Sequence, residues 1–600
     1  MDATILTPAR HSTRFPSQWR SLVELLRSRA ETEGHRKLFT FLSEGATPER
    51  SLSYAELDQR ARTIGACLQD VNARGQRVLL LFPPGLDYIA AFFGCLYANA
   101  IAVPAYPPRQ NRNVDRLRKV GYDARPAIAL TTHTVMTEIE SGLGEYPDLK
   151  ALKWIAADKL ASYWSWEWCD LNPDPGTLAF LQYTSGSTAN PKGVMVSHGN
   201  LLHNEGLIQR AFGQSASSII VGWLPLFHDM GLIGNVIQPL YAAAECVLFS
   251  PMSFLQRPSR WLEAISKYRA TTSGGPNFAY DLCVRKIKPE DRETLDLSSW
   301  KVAFNGAEPI RSETLDRFSA AFEPCGFRRE AFFPCYGLAE ATLFVSGGPG
   351  NTKPVVRNFQ RTALDQNLTV SASSGEGDVR SLVGCGYAPE HEVVIVDPES
   401  QTVCERGRVG EIWVASESVA QGYWNQAEES IRTFQANLDT GAGPYLRTGD
   451  LGFIDDGQLY VTGRLKDLII IRGRNCYPED IEHTVGQCDR ALRPGEGVVF
   501  STEIDGEERL VVVHEVARDY RSDDLPKVVE NVRRRVAEEH DLQLFHVALI
   551  QPGTLLRTSS GKVRRQAMKK IFLEGKNRVL YQWRNSQEPE IQTLETVAID

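Results

Sequence analysis

The densest run of phosphate-compatible residues in the chain is Tyr183-Thr184-Ser185-Gly186-Ser187-Thr188-Ala189-Asn190-Pro191-Lys192-Gly193. It follows the strand-like Leu178-Ala179-Phe180-Leu181. Glycine lets the backbone approach closely, N–H groups and hydroxyls donate to phosphate oxygens, and lysine adds a point charge. Thr184, Ser185, Gly186, Ser187, Thr188 and Lys192 are therefore candidate polyphosphate contacts. The run is not a Walker A loop. Pro191 stands where the second glycine belongs, and Gly193 replaces the Ser or Thr that would hold magnesium. Taken alone, it would also suit a Ser/Gly surface loop.

Further runs are spread along the chain. Trp223-Leu224-Pro225-Leu226-Phe227-His228-Asp229-Met230-Gly231 ends an apolar strand and opens a glycine-containing turn, a usual place for site residues. Asn305-Gly306-Ala307-Glu308-Pro309 follows the strand-like Val302-Ala303-Phe304, and such a turn can lie flat against a base. By itself it reads equally as a strand-to-helix turn. In Cys335-Tyr336-Gly337-Leu338-Ala339-Glu340-Ala341-Thr342, Tyr336 offers a ring for stacking and Glu340 a hard oxygen ligand for Mg²⁺. Within Tyr445–Gly452, Asp450 is a carboxylate with several acceptor sites, able to take both hydroxyls of a sugar. Gly463-Arg464-Leu465-Lys466-Asp467 and the basic Arg557-Thr558-Ser559-Ser560-Gly561-Lys562-Val563-Arg564-Arg565 complete the set. Each of these last two would pass alone for a solvated turn.

Elements that could hold these runs are visible in the pattern. Val78–Phe82, Ile128–Leu130, Ile219–Val221 and Val247–Phe249 are short apolar strands alternating with helical stretches. That alternation predicts an α/β architecture with helix-covered sheets. The most apolar stretch, Tyr88 to Val103, is too short to span a membrane and reads as a buried helix. From about Val393 closely spaced strands such as Val393–Val396 and Glu411–Val414 predict a β-rich subdomain. Beyond about Lys466, Val511–Val513 reads as a strand. Leu525, Val528, Val529, Val532 and Val536 make one helical face of a compact tail domain. Between Ser346 and Arg380 the chain is polar and turn-rich. A loop of that length is often functional, though it also suits a tolerated surface insertion. Expected boundaries are 1–465 for a large domain, with an insertion at 346–380, then 466–586 for a small domain and 587–600 for a polar tail.

The composition, 42% hydrophobic and 23% charged over 600 residues, supports several folded cores and excludes a disordered chain. A net charge of −8 offers no electrostatic footprint for nucleic acid. None of the cysteines forms a C-x-x-C pair, so they read as reduced thiols, with little support for zinc. With no secretory signal and no membrane span, the expected location is cytoplasmic.

Taken together and in order, these runs resemble the signature motifs of the acyl-adenylate-forming superfamily, which includes acyl-CoA synthetases, luciferases and adenylation domains. The resemblance implies a large α/β and β-rich N-terminal domain with a small mobile α+β C-terminal domain, using ATP and Mg²⁺. It implies that the Thr184–Lys192 loop holds the β- and γ-phosphates. His228 would contact the reacting carboxylate and gate the acyl tunnel. Gly306, Ala307, Glu308 and Pro309 would pack on adenine, with Tyr336 and Gly337 beside it. Glu340 would bind Mg²⁺, Asp450 the ribose, and Arg464 ribose or phosphate. Lys466 would be the pivot and Lys562 the catalytic lysine. Ala339 departs from the Thr usual in many relatives, so a hydroxyl contact is absent there.

Pro104–Arg109, Pro251–Pro258 and Ser273–Tyr280 are similar to one branch, the fatty acyl-AMP ligases, and the 346–380 segment sits where that branch carries an insertion. That branch implies a fatty acid substrate and an acyl carrier protein, through its phosphopantetheine thiol, as acceptor. The alternative is a long-chain acyl-CoA synthetase, which shares the first step. An amino-acid adenylation domain fits less well, with no carrier domain visible after it. A catalytically dead binding protein is disfavoured by retention of His228, Glu340, Asp450, Arg464 and Lys562.

Overall fold

The structure is a computed structural model. It describes the chain outside residues 1–4, 7–17, 44–49, 108–113, 143–149, 185–190, 349, 374–377, 389, 472–473, 505–506, 519, 521–523, 559–560 and 586–600. Two largely parallel sheets form its centre. One has eight strands in the spatial order Phe344–Gly347, Phe332–Gly337, Val302–Asn305, Thr272–Gly274, Ile219–Gly222, Glu245–Phe249, Lys37–Leu42 and Arg50–Ser53. It is antiparallel only at its two edges. The other has six: Lys153–Ala156, Ile128–Thr131, Arg77–Leu81, Ile101–Ala105, Leu178–Tyr183 and Gly193–Ser197. Their inner strands are buried on nearly every residue, as expected of parallel sheets covered on both faces. Helix Leu86–Tyr97, for example, is buried along its whole length. The mixed α/β class expected from the alternation is what the chain adopts.

The apolar stretch Tyr88–Val103 differs from expectation. It is a helix only to Tyr97. Asn99 takes φ +48, which ends the helix, and Ile101–Ala105 re-emerges as a strand paired with Arg77–Leu81. One apolar run thus serves two buried elements, which periodicity could not separate.

A five-stranded antiparallel sheet follows, containing Glu392–Val396, Gly410–Ala415, Leu446–Asp455 and Gln458–Arg464. The turn-rich 346–380 segment is not a bare loop. Val356–Gln360 pairs with Val379–Val383 as a hairpin, and a short helix, Arg361–Leu364, lies between them. A four-stranded sheet from Gly497–Ile504, Glu507–Glu515, Leu544–Ile550 and Val579–Arg584 closes the chain. Its partner helix, Leu525–His540, buries Val528, Val529, Val532 and Val536, the face read from the sequence. These residues share a core with Ile469, Ile481 and Val485, separate from the large core further upstream.

Candidate active site

The candidate residues sit where elements end. Thr184 caps the strand Leu178–Tyr183, Gly306 follows Val302–Asn305, and Tyr336 and Gly337 close Phe332–Gly337. Loops beyond the carboxyl ends of parallel strands are where open α/β sheets bind ligands. The glycines are required by packing. A Cβ on Gly337 would lie 1.8 Å from the Leu343 carbonyl oxygen, and one on Gly306 would lie 2.8 Å from that of Cys335. Beside Gly306, Ala307 holds φ +70, a left-handed backbone that a non-glycine residue adopts at some cost.

One cavity of about 1330 Å³ gathers Thr184, His228, Gly306, Ala307, Glu308, Pro309, Tyr336, Gly337, Glu340, Asp450, Arg464, Lys466 and Lys562. The small C-terminal unit therefore reaches the same cavity as the sheets. Gly561 (φ +89) turns against Phe278, and the Thr558 hydroxyl accepts from the Lys562 N–H at 3.0 Å. Burial and the Arg464 charge depress the Lys562 ammonium, while Asp229, Glu308 and Asp450 work in the opposite direction. A lysine among three carboxylates, on the wall of a cleft, is placed to meet anions.

The other polar groups are held in fixed geometry. His228 Nδ1 lies 2.5 Å from Asp229 Oδ1, which leaves Nε2 as the ring's free nitrogen. Burial opposes ionisation of Asp229, yet His228 and Lys562 hold its carboxyl below the usual range. Tyr336 donates its hydroxyl to Asp450 Oδ2 at 2.8 Å, and Arg464 Nε lies 3.2 Å from Asp450 Oδ1. Asp450 and Arg464 face each other as a cross-strand pair of the β-rich sheet. Burial, followed by the neighbouring Asp450, lifts the Tyr336 phenol well above its ordinary value, so it remains a donor.

Lys192 is placed differently. It is not on the cavity wall. Its Nζ donates to Glu429 Oε1 at 2.5 Å and stands 4.7 Å over the Tyr423 ring. Tyr423 in turn donates to Glu340 Oε1 at 2.9 Å, so the lysine connects to the site through this tyrosine. Ser185, Gly186, Ser187 and Thr188 lie outside the described residues, as do Arg472 and Gly473.

Sequence reasoning missed several participants. Tyr423 and Glu429 carried no motif. Arg116 donates to the Tyr183 carbonyl oxygen at 3.4 Å and shares the cavity wall with Arg564. Burial and the proximity of Arg564 depress its guanidinium. Arg565 donates to Asp467 at 2.9 Å, Glu479 at 3.0 Å and Glu482 at 2.9 Å, fixing the Lys562 loop to the Leu465–Asp467 turn. Its place just after Lys562 was the one signal available for it.

The 346–380 segment grips the C-terminal unit. Arg474 pairs with Asp365 at 2.9 Å, and Asn475 donates its backbone N–H to the Asp365 carbonyl oxygen at 3.0 Å and its amide to Asn367 Oδ1 at 3.0 Å. Arg361 meets His540 Nδ1 at 3.1 Å, and the buried Arg380 pairs with Asp480 at 2.9 Å.

A nucleotide-sized cleft at sheet ends, closed by a second unit that inserts a lysine, is the architecture of an adenylate-forming enzyme. Residues 26–424 match the AMP-binding enzyme family, and residues 466–582 match the AMP domain of Disco-interacting protein 2-like proteins. The chain belongs to the AMP-binding enzyme family. It is 48% identical to a medium-chain fatty acid–acyl-carrier-protein ligase of Moorena producens, over 94% of this chain and 97% of that one. It is 35% identical to a long-chain fatty acid–AMP ligase of Mycolicibacterium smegmatis, over 92% of this chain and 94% of that one. Among solved structures it is similar to a fatty acyl-adenylate ligase of Legionella pneumophila in complex with acyl adenylate and pyrophosphate. The identity is 42% and the TM-score 0.74, over 94% of this chain and 98% of that one. Among the described residues, no helix is long and apolar enough to cross a membrane.

Proposed function

We propose that this protein activates a medium- or long-chain fatty acid with ATP, forming acyl-AMP and pyrophosphate, and passes the acyl group to the phosphopantetheine thiol of an acyl carrier protein. The observation that carries this reading is the single cavity that joins Lys562 and His228 to an apolar wall of Ile208, Phe212, Phe304, Leu343 and Phe344. Its long-range likeness to fatty acid ligases covers nearly the whole chain.

In this reading adenine lies against Gly306–Pro309 and Tyr336, and the ribose hydroxyls take the free lone pairs of Asp450. The acid's carboxylate and the α-phosphate are both anionic, so the barrier is one of position and charge. Lys562 bridges them where charge builds. His228, oriented by Asp229, donates from Nε2 to the carboxylate when protonated. Thr184, with Arg116 and Arg564, faces the departing pyrophosphate; Ser185, Gly186, Ser187 and Thr188 follow it in sequence as further donors, and Lys192 would reach that end only on leaving Glu429. Glu340 fits Mg²⁺. One carboxylate plus substrate phosphates is this ion's usual protein site, and among the described residues there is no three-ligand cluster that would suit an all-protein cage. When bound there, Mg²⁺ neutralises phosphate charge. Lys466 is the pivot about which the 466–586 domain turns, and the 346–380 insertion restrains that turn. We also place the enzyme in the cytoplasm.

The test is product analysis with ATP, Mg²⁺ and a dodecanoate-length acid, with and without CoA or a phosphopantetheinylated carrier protein. Acyl-AMP that persists with CoA and is consumed by the carrier is the expected result. Rapid conversion to acyl-CoA would move the assignment to an acyl-CoA synthetase.

A further inference from the structure

Most cations of this cleft are matched by carboxylates. Lys562 faces Asp229, Glu308 and Asp450, and Arg464 pairs with Asp450. Arg380 and Arg565 hold carboxylates of their own. Arg116 and Arg564 depart from that rule. Both are half-buried on the cavity wall. Among the described residues neither has a carboxylate partner, and the one charge that acts on Arg116 is Arg564.

The two arginines come from different units. Arg116 stands in the first turn of helix Val114–Ala124 and donates to the carbonyl oxygen of Tyr183, the residue before Thr184. Arg564 follows Lys562 by two residues and precedes helix Arg565–Leu573. Its N–H donates to the Leu556 carbonyl oxygen at 2.9 Å, and the next residue, Arg565, is tied to Asp467, Glu479 and Glu482. Arg116 lies within the 26–424 match and Arg564 within the 466–582 match. Their repulsion therefore acts between the units and opposes the approach that brings Lys562 into the cleft. Guanidinium groups bind phosphate through bidentate, charge-assisted hydrogen bonds, so two of them beside Thr184 suit a group of several phosphates.

We propose that Arg116 and Arg564 form a polyphosphate receptor that spans the two units. The small unit keeps this pose while the terminal phosphates of ATP, or the pyrophosphate they become, lie between the two guanidiniums. Departure of pyrophosphate leaves a like-charge pair that drives the unit outward. The inference rests on the adenylate-forming reading and adds a release trigger to that site. Lys562 cannot supply such a trigger, since its three carboxylates stay in place when the anion leaves. A neutral side chain at either arginine would remove both the phosphate contact and the repulsion. A carboxylate at either would join the units with no anion present.

The backbone N–H of Asn475 donates to the Asp365 carbonyl oxygen across the two units, so its hydrogen–deuterium exchange in the full chain reports the pose. In wild type, magnesium pyrophosphate should slow that exchange. Arg116→Gln and Arg564→Gln should each raise the KM for pyrophosphate in ATP–pyrophosphate exchange about ten- to a hundredfold, the factor a hydrogen bond to a charged group carries. Both should also slow Asn475 exchange in the ligand-free protein, and pyrophosphate should add little. Arg564→Glu should protect Asn475 most with no anion present, and Arg116→Glu is the reciprocal test on the other unit. A residue that only braced the fold, or only touched phosphate, would not slow exchange without ligand. The inference is overturned if the ligand-free Glu variants exchange as fast as wild type, or if neither Gln variant moves the pyrophosphate KM. Pyrophosphate that leaves wild-type Asn475 exchange unchanged overturns it as well. Each of these results leaves wild-type ATP–pyrophosphate exchange standing and so refutes this inference alone, whereas no exchange with any acid refutes the adenylation reading with it.

Discussion

Replacing Lys562 by Ala removes the cation that Asp229, Glu308 and Asp450 surround in the cavity. Two further anions, a carboxylate and an α-phosphate, must then approach those three carboxylates. A unit charge pair at 4 Å with an effective dielectric of 20 is worth about 4 kcal/mol, about 10³ in rate. Loss of one preorganised donor costs about 10²–10³ in rate in enzymes where it has been measured. We therefore expect single-turnover formation of acyl-AMP to fall about 10³-fold in Lys562→Ala. ATP should still bind, because the Gly306–Pro309 turn, Tyr336 and Asp450 belong to other elements. Transfer from supplied acyl-AMP to the carrier should also survive. The pH profile adds a second readout. Burial and Arg464 depress the ammonium, so kcat/KM for adenylation should fall on an alkaline limb below the ordinary lysine range. Lys562→Arg should move that limb out of reach. Unchanged adenylation in Lys562→Ala, or a loss confined to ATP affinity, would refute the reasoning.

Other predictions follow from contacts around the site. Tyr423→Phe removes the donor to Glu340 and should raise the Mg²⁺ concentration for half-maximal exchange by about tenfold, a typical cost for an outer-shell partner; an unchanged Mg²⁺ titration would detach Glu340 from the ion. Asp365→Ala combined with Asn367→Ala cuts the insertion's grip on Arg474 and Asn475, and should let CoA-dependent turnover appear where wild type shows little. Arg565→Met strands Glu479, Glu482 and Asp467 and should destabilise the C-terminal unit by about 3–5 kcal/mol in denaturant titration. Burial depresses His198 and His514 to about 4, and His391 and His540 to about 3. The unfolded chain binds these protons from about pH 6.5, so stability is full above that and falls with pH, by up to ~1.4 kcal/mol per histidine per unit. Across four histidines the loss reaches at most ~14 kcal/mol by pH 4, comparable with the ~5–15 kcal/mol of an ordinary fold, so a steep fall in stability between pH 6.5 and 4 is expected in denaturant titrations followed by fluorescence.

The site was legible in sequence to the extent that its groups lie at strand ends in short runs. Val302–Phe304 before Gly306 and Leu178–Leu181 before Thr184 announce themselves by apolar strand next to glycine turn. Side chains that act across elements left no such mark. Tyr423 is 83 residues from the Glu340 it contacts. The 346–380 segment looked like a loop because its first hairpin strand, Val356–Gln360, buries only Phe359, and the second, Val379–Val383, begins only at the segment's end. Arg357 pairs with Asp455 and Arg380 with Asp480, so polar residues of these strands serve contacts across elements and leave little alternation to read.

The pose of the C-terminal unit follows from two sets of contacts that favour the same geometry. Inside the cavity, Lys562 is drawn in by Asp229, Glu308 and Asp450. Outside it, Asp365, Asn367, Arg361 and Arg380 hold Arg474, Asn475, His540 and Asp480. Arg565 couples the two, since it ties the Lys562 loop to Asp467 next to the proposed pivot. On the proposed function, rotation of the unit about Lys466 for acyl transfer would break the outer set whichever thiol attacks. Once acyl-AMP has formed and pyrophosphate has left, Lys562 would lose the departing substrate anion and keep only Asp229, Glu308 and Asp450 beside the acyl-adenylate. The outer set does not change with that chemistry. On the proposed function, the 346–380 segment would be a constant bias toward the pose seen here, and a carrier protein would have to supply the binding energy that overcomes it. CoA, a far smaller ligand with less surface to bury, has less to offer, and that difference is a physical basis for choosing the carrier thiol.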